Sequence, residues 1–258
     1  MYLGIDIGSV SANAVIIDED KKILGYSILP SGYDHHKTAV EIVENICEKS
    51  RVKEKDIKRV IGTGYGRKNI PGTAKAVTEI TCHAVGVHHL FPQAKIVIDI
   101  GGQDSKIIWI SEDGFAEHFI MNDKCSAGTG RFLEVMANIM KMDIKEFSWS
   151  GYMAEKAYPI SSTCTVFAES EVISAVAMGI SRAEISAGIF ESIAKRIVAM
   201  MHVDMDMNGI ILTGGVAQNI GVVKYMKKRL PGIEVPEKPQ IMGALGAALL
   251  AYEYERVN

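Results

Sequence analysis

The segment Ile5-Asp6-Ile7-Gly8 recurs unchanged as Ile98-Asp99-Ile100-Gly101, and this repetition decides the fold. The two copies lie 93 residues apart (98 minus 5). Each is an apolar stretch that ends in an aspartate and a glycine, which is typical of a buried strand running into a tight turn. A repeat at a fixed spacing indicates two copies of one structural unit. We therefore expect two similar α/β lobes.

Each copy opens a predicted β-hairpin. In the first, the acidic turn Asp18-Glu19-Asp20 separates two apolar runs. In the second, the turn Glu112-Asp113-Gly114 separates residues 107–110 from residues 115–121. Short polar turns between apolar runs favour antiparallel pairing of the flanking strands.

Helices and strands alternate along the rest of the chain. Apolar residues at helical spacing predict helices over residues 36–49, 74–90, 129–142, 166–178, 182–207 and 243–255. Continuous apolar runs predict further strands over residues 58–62, 95–100 and 209–213. Because Pro92 interrupts the pattern, we expect a first lobe over residues 1–94 and a second over residues 95–258, with the terminal helix packed on the first lobe.

The composition is that of a globular protein. The chain has 258 residues, of which 48% are apolar, so it can bury a large core. It contains no apolar run of about 18 residues and enters a strand at once, so we expect a cytoplasmic protein without a membrane span or a secretory signal. Its net charge of −3 does not indicate the excess of positive charge that is typical of nucleic-acid-binding proteins.

The repeated turns have the chemistry of phosphate sites. Gly8, Gly101 and Gly102 lack Cβ atoms, so phosphate oxygens can approach their N–H groups, while Ser9 and Ser105 add hydroxyl donors. These turns therefore predict nucleotide binding. The alternative is that the glycines only permit tight turns between strands and helices.

The aspartates of the repeat are predicted to hold magnesium. Mg²⁺ keeps several waters and commonly takes one or two carboxylates beside phosphate oxygens. We therefore expect Asp6 and Asp99 to bind hydrated Mg²⁺. A third glycine turn, Thr213-Gly214-Gly215, follows the predicted strand over residues 209–213 and strengthens the prediction of a nucleotide site.

Two of the four cysteines stand in matching positions. Cys125 and Cys164 each come shortly before a predicted helix, whose N-terminus favours negative charge. A cubane iron–sulfur cluster usually takes four thiolates, and a symmetric homodimer would supply two from each chain. The alternative is that both are buried free thiols, as we expect for Cys47 and Cys82.

The two phosphate turns and the later glycine pair, in that order, resemble the actin, Hsp70 and sugar-kinase superfamily. That resemblance implies a two-lobed α/β fold of the ribonuclease H type with duplicated phosphate-binding turns. Within it, the chain resembles the activators of 2-hydroxyacyl-CoA dehydratases, of the 2-hydroxyglutaryl-CoA type, in the BadF/BadG/BcrA/BcrD ATPase family. The resemblance spans nearly the whole chain and rests on the segments Thr63–Arg67, Asp99–Asp104, Asn122–Cys125, Ser161–Ser170 and Thr213–Asn219.

The resemblance implies an ATPase coupled to electron transfer. One electron would pass from reduced ferredoxin or flavodoxin to a 2-hydroxyacyl-CoA dehydratase and start ketyl-radical dehydration there. The implied cofactors are ATP or ADP, Mg²⁺ and one [4Fe–4S] cluster per homodimer, held by Cys125 and Cys164 of both subunits. ATP binding and hydrolysis would change the angle between the two helices that meet at the cluster.

The nucleotide site is predicted residue by residue. Its expected contacts are Gly8, Ser9, Ser11, Gly101, Gly102, Gln103, Ser105, Lys106, Thr213, Gly214, Gly215 and Gln218. Gln103 is the predicted residue that orients the attacking water, beside Asp6 and Asp99. The family usually has a lysine soon after the first turn, whereas this chain has Asn13, which carries no charge. We predict Lys106 as its substitute.

Two other functions stay open from the sequence. A sugar or small-acid kinase of the same fold would use Asp104 or Asp123 as its base, but it gives the matched cysteines no role. A redox-dependent regulatory ATPase would bind a protein partner without passing electrons onward.

Overall fold

The computed structural model describes residues 1–161, 164–201 and 208–257. The chain divides into two compact units. Unit 1 comprises Met1–Val97, Ile108–Phe119 and Glu237–Asn258, and unit 2 comprises Ile98–Ile107 and Ile120–Pro236. The lobe boundary that we place near residue 94 stays a prediction.

Two β-sheets share one strand order. The strands of the first are β1 Tyr2–Ile7, β2 Ser11–Ile17, β3 Ile23–Pro30, β4 Arg59–Thr63 and β5 Lys75–Ala76. Those of the second are β6 Ile96–Ile100, β7 Ser105–Ile110, β8 Ala116–Asn122 and β9 Ile210–Thr213. The order is β3-β2-β1-β4-β5 in the first and β8-β7-β6-β9 in the second. Each aspartate-bearing strand thus stands between its hairpin partner and a later strand, and the repeat in the sequence extends to both sheets.

The helices cover most of the remaining described residues. They are α1 His35–Ser50, α2 Glu79–Leu90, α3 Gly130–Ile139, α4 Ile144–Met153, α5 Thr165–Ala177, α6 Arg182–Met200, α7 Ile220–Arg229 and α8 Met242–Val257. Short 3₁₀ helices occupy Glu54–Asp56, Arg67–Asn69, Gly215–Gln218 and Pro239–Ile241. Within the described ranges, no helix is both long and apolar enough to cross a membrane.

Helices pack on both faces of β1. Leu3, Ile5 and Ile7 are fully buried in a cluster that includes residues of α1. Side chains alternate along a strand, so Asp6 lies on the opposite face. That face is covered by α8, and Gly4 permits the close approach, since a Cβ atom there would lie 2.0 Å from Ala244 O. Asp6 is therefore buried where α8 begins.

Two helix predictions need correction, and a third extends beyond the described residues. The helix predicted over residues 74–90 begins at Glu79, because the Thr78 hydroxyl caps it by accepting from the Thr81 N–H, and part of the preceding segment forms β5. The helix predicted over residues 129–142 ends at Ile139. The helix predicted over residues 182–207 is described to Met200, and residues 202–207 lie outside the described residues.

Helix α4 was not predicted from the sequence. Its N-cap is Asp143, whose carboxylate accepts hydrogen bonds from the N–H groups of Lys145 and Glu146, both at 2.8 Å. An aspartate followed three residues later by a glutamate is a signal for a helix start. That signal was present in the sequence and identifies the position of α4.

Candidate functional site

The two repeated turns have the same backbone hydrogen bond. The Gly8 N–H donates to Ser11 O at 3.0 Å, and the Gly101 N–H donates to Asp104 O at 2.9 Å. The donor and the acceptor of the second hydrogen bond each lie 93 residues after their counterparts in the first (101 minus 8 and 104 minus 11). The two turns are therefore copies of one structure, one in each unit.

A glycine of the neighbouring strand lies against each repeat aspartate. Gly64 follows β4 with a φ of 87°, and Gly214 follows β9 with a φ of 86°. A Cβ atom on Gly64 would lie 2.5 Å from Asp6 Oδ1, and one on Gly214 would lie 2.7 Å from Asp99 Oδ1. Only glycine combines this conformation with so close an approach. Both positions read Thr-Gly in the sequence, which is the signal that could have identified this second pair of turns.

In unit 1, Asp6 lies beside a histidine that the sequence analysis missed. A Cβ atom on Gly243 would lie 2.5 Å from Asp6 Oδ2 and 3.0 Å from His83 Nε2. Both side chains are buried. Since α2 carries His83 and α8 carries Gly243, only the packing of these helices on β1 brings the two groups together.

In unit 2, Asp99 belongs to a buried group of charges. Lys106 Nζ lies 2.9 Å from Asp104 Oδ2 and 3.5 Å from Asp99 Oδ2. The Thr213 hydroxyl donates to Asp99 Oδ1 at 3.0 Å. A buried ion group of this kind keeps its geometry because separating any member would leave a charge unpaired. The second turn therefore holds a fixed carboxylate and a fixed ammonium.

The other predicted contacts are distributed over both units. Unit 1 brings together Asp6, Gly8, Ser9 and Ser11, and unit 2 brings together the remaining predicted residues. Gln103 is exposed in the second turn, and Gly215 and Gln218 are exposed at the 3₁₀ helix after β9, so a ligand can reach all three. Ser105 is buried, and none of the described residues hydrogen-bonds to its hydroxyl.

The second turn is hydrogen-bonded to the start of α3. The Gly130 N–H donates to Gly101 O at 2.9 Å, and the Arg131 N–H donates to Gly102 O at 2.8 Å. A Cβ atom on Gly130 would lie 3.3 Å from Gly101 O. This contact was not predictable from the sequence, because nothing local in Gly128-Thr129-Gly130 identifies the distant carbonyl groups that these N–H groups meet.

The loops that carry Cys125 and Cys164 meet one another. The hydroxyls of Ser126 and Thr165, the residues that follow the two cysteines, are hydrogen-bonded at 2.9 Å. Cys164 is the N-cap residue of α5, and its side chain makes no capping hydrogen bond. Residues 162 and 163, which belong to the motif around Cys164, lie outside the described residues.

A model of the BadF/BadG/BcrA/BcrD ATPase family matches residues 3–251. The chain belongs to this family. The resemblance drawn from the sequence motifs is thereby confirmed, and so is the prediction of an ATPase.

Relatives of the chain match over nearly their whole length. An activator of lactoyl-CoA dehydratase from Anaerotignum propionicum is 44% identical, with 98% of each chain covered. The (R)-2-hydroxyglutaryl-CoA dehydratase activating ATPase of Acidaminococcus fermentans is 43% identical over 97% of this chain and 96% of that protein. The solved activator of the 2-hydroxyisocaproyl-CoA dehydratase from Clostridium difficile, with bound ADPNP, has a TM-score of 0.93 at 40% identity and covers 100% of this chain and 96% of that chain.

A sugar kinase shares the fold of this family member. A ROK family glucokinase from Streptomyces griseus has a TM-score of 0.57 at 16% identity, with 98% of this chain and 99% of that chain covered. At that identity the likeness shows the fold alone. It confirms the predicted two-lobed α/β fold of the actin, Hsp70 and sugar-kinase type.

The four thiols of this ATPase have different surroundings. Cys82 is buried, and burial raises the pKa of its thiol to about 12. Cys47 is half-buried, and burial likewise raises its pKa. Cys125 is half-buried and Cys164 is exposed. The alternative that both matched cysteines are buried thiols is therefore wrong for Cys164.

We expect alkylation to distinguish these thiols in metal-free protein. A thiol reacts as its thiolate, and with a pKa of about 12 only about one Cys82 side chain in ten thousand is ionised at pH 8. Iodoacetamide at pH 8 should therefore label Cys164 within minutes and leave Cys82 unlabelled, as measured by mass spectrometry of tryptic peptides. Labelling of Cys82 should rise tenfold for each pH unit below its pKa. Equal labelling rates for the two cysteines would contradict this assignment.

Proposed function

We propose that this ATPase activates a 2-hydroxyacyl-CoA dehydratase by passing it one electron from reduced ferredoxin or flavodoxin. ATP hydrolysis is coupled to the transfer. The observation that carries the proposal is the direct hydrogen bonding between the second phosphate turn and the helix that follows Cys125. We place this activity in the cytoplasm, because thiolate ligands need a reducing compartment.

The coupling path runs inside unit 2. Gly101 and Gly102 accept the first N–H groups of α3 at 2.9 and 2.8 Å. The N-terminal end of α3 is joined to the cysteine loop, since the Thr129 hydroxyl donates to Ser126 O at 2.6 Å. From Ser126, the hydroxyl contact with Thr165 reaches the loop of Cys164. A change in the turn on loss of the γ-phosphate would therefore be transmitted to both cysteines.

Cys125 and Cys164 fit an iron–sulfur cluster shared by two subunits. Among the described residues, no group of three or more His, Cys, Asp or Glu side chains is arranged to hold a metal ion, so one chain offers the two thiols alone. Two copies would supply the four thiolates of a [4Fe–4S] cluster. Such a cluster, when bound, would accept and release one electron at a time. The starts of α3 and α5 would favour its negative charge.

The surface beside Cys164 supports a homodimer. Val166 and Phe167, in the first turn of α5, are 66% and 67% exposed. Ile173 and Val176 of the same helix are also exposed. Exposed large apolar side chains along a helix that begins at a candidate metal ligand favour burial against a second subunit. In a twofold dimer they would exclude water from the thiolates.

At the nucleotide, Asp6 and Asp99 are proposed to hold hydrated Mg²⁺. Thr213 and Lys106 fix the orientation of Asp99. Gln103 is exposed in the second turn, and we assign it the orientation of the attacking water. The other contacts predicted from the sequence, Ser9, Ser11, Ser105, Gln218 and the turn glycines, complete the proposed site.

The kinase alternative has only the shared fold in its favour. Its candidate base Asp104 is buried and paired with the Lys106 ammonium at 2.9 Å, so its carboxylate is already engaged by another side chain. Its other candidate base, Asp123, lies 3.2 Å from Lys124 Nζ. Electron transfer also gives a role to the two cysteine loops, whereas phosphoryl transfer to a small acceptor does not.

Anaerobic reconstitution tests the proposed function. Reduced protein with Mg-ATP should activate a purified 2-hydroxyacyl-CoA dehydratase, and omission of either the reductant or ATP should abolish activation. A non-hydrolysable ATP analogue should fail to sustain repeated activation, because hydrolysis returns the turn to its starting state. Dehydration of the acyl-CoA is followed by absorbance.

Phosphate-ester formation provides the opposing measurement. If ATP turnover rises strongly only when a sugar or carboxylic acid is present, and the product is the phosphate ester of that acceptor, the protein is a kinase and the proposed function is wrong. Stable binding of a protein partner without dehydratase activation would favour the regulatory ATPase instead.

A further inference from the structure

Asn13 occupies the position in the first turn that Lys106 occupies in the second. The repeat offset of 93 residues relates Asp6 to Asp99 and also relates Asn13 to Lys106 (106 minus 13). In the second turn, the Lys106 ammonium lies 3.5 Å from Asp99 Oδ2. The first turn keeps the aspartate but has a neutral amide in place of the ammonium.

Asn13 and Asp6 lie side by side on one face of the first sheet. They are directly opposite one another in the antiparallel pair of β1 and β2. Residues paired in this way project to the same face, with Cβ atoms about 4.5–5.5 Å apart. Asn13 is 5% exposed and Asp6 is 7% exposed. Two oxygen-bearing side chains thus lie side by side in the buried part of unit 1.

The carbonyl oxygen of the Asn13 amide needs a ligand. Asn13 Nδ2 lies 3.4 Å from Ser11 Oγ, but no group in the described part of the chain donates to Asn13 Oδ1. A buried polar atom without a partner is costly, so such atoms are usually satisfied by water or an ion. Ser11 lies two residues away on the same strand and is partly exposed.

Arg67 lies beyond the end of the other neighbouring strand, β4. Arg67 Nη1 donates to Gly64 O at 3.0 Å, and Gly64 follows β4. In the first sheet, β4 and β2 lie on opposite sides of β1. The Arg67 guanidinium is therefore anchored at the end of β4, whereas Lys106 in the second turn stands on the strand that corresponds to β2.

We propose that a monovalent cation, potassium, binds between the Asn13 carbonyl oxygen and the Asp6 carboxylate. It would take the place that the Lys106 ammonium has in the second turn. Potassium has the charge of ammonium and nearly its size, and it binds carbonyl oxygens in place of water. Phosphates bound at this turn add negative charge beside Asp6, and the cation offsets it. The inference rests on the proposed nucleotide site.

Salt substitution tests the potassium site in the intact protein. ATP hydrolysis is measured at fixed Mg²⁺ and equal ionic strength in the chlorides of potassium, ammonium, sodium and tetramethylammonium. Potassium and ammonium should support a rate about tenfold above tetramethylammonium, since a fixed positive charge stabilises the phosphoryl transition state. Equal rates in all four salts, with ATP bound in each, would overturn the potassium site and leave the proposed function standing.

Asn13→Lys supplies the positive charge covalently. Its hydrolysis rate should be the same in potassium and tetramethylammonium, because the ammonium takes the place of the ion. Asn138→Lys makes the same substitution on the exposed surface of α3 and should keep the full potassium dependence. A potassium dependence that persists in Asn13→Lys would overturn the assignment to this side chain.

Rubidium provides a readout that needs neither activity nor a variant. Wild-type crystals grown with ADP and rubidium chloride should give an anomalous peak between Asn13 Oδ1 and the Asp6 carboxylate. A crystal with bound nucleotide and no such peak would overturn the inference, whether or not Asn13→Lys folds. Failure of ATP to bind in every salt would overturn the proposed nucleotide site and this inference with it.

Discussion

Replacing Cys125 or Cys164 by alanine is expected to remove all bound iron from anaerobically reconstituted protein. The wild-type dimer should carry about four iron atoms and four sulfides. Each substitution removes two of the four thiolates, because both subunits change at once. Two remaining thiolates do not hold a cubane cluster, so the loss should be complete rather than partial. Iron and acid-labile sulfide analysis, together with absorbance near 400 nm, measures it.

The remaining cysteines provide matched controls. Cys82 is buried, and burial raises its pKa to about 12, while Cys47 is half-buried with a raised pKa, so both are less readily ionised than an ordinary cysteine thiol. Cys47→Ala and Cys82→Ala should keep the full iron content. Loss of half the iron in either control would mean that the ligands are wrongly assigned, and colourless wild-type protein would refute the cluster.

The repeat made the sheets predictable from the sequence. A strand that is buried on both faces reads as a largely apolar run, and both copies of the repeat show such a run, interrupted by the aspartate. The turn chemistry after each copy then located the hairpins. The shared strand order of the two sheets agrees with this duplication.

Contacts between distant segments could not be predicted in the same way. His83 lies beside Asp6 only because Gly243 lets α8 approach β1 closely. The N–H groups of Gly130 and Arg131 meet the carbonyls of the second turn through tertiary packing. Local pattern carries no information on which distant group such an atom meets. The start of α2 differs for another reason, since the Thr78 cap outweighs the helical periodicity of residues 74–78.

The site was predictable in part. The aspartates, glycines and matched cysteines follow from residue type and spacing, whereas the pairing of Lys106 with both Asp99 and Asp104 required the structure. That pairing changes the interpretation of Lys106. We predicted it as the substitute for a lysine at position 13, but its ammonium is already engaged in the second turn.

The second large effect is expected for Asp99→Asn. An asparagine keeps an oxygen that can accept from Thr213, but it loses the negative charge proposed to hold hydrated Mg²⁺. Its amide nitrogen would also face the Lys106 ammonium, 3.5 Å from the present Oδ2. We expect ATP hydrolysis to fall by about 100-fold or more. Single-turnover hydrolysis with saturating Mg-ATP measures the change.

Asp104→Asn separates the loss of the metal ligand from damage to the buried ion group. Asp104 is buried like Asp99 and pairs with the same ammonium at 2.9 Å, but it is not proposed to bind the metal. Either substitution removes one carboxylate from Lys106, so both should lower the free energy of unfolding by about 3 kcal/mol. Urea unfolding measures that cost. Hydrolysis should fall far more in Asp99→Asn, and equal losses in the two variants would assign the effect to the ion group instead of Mg²⁺.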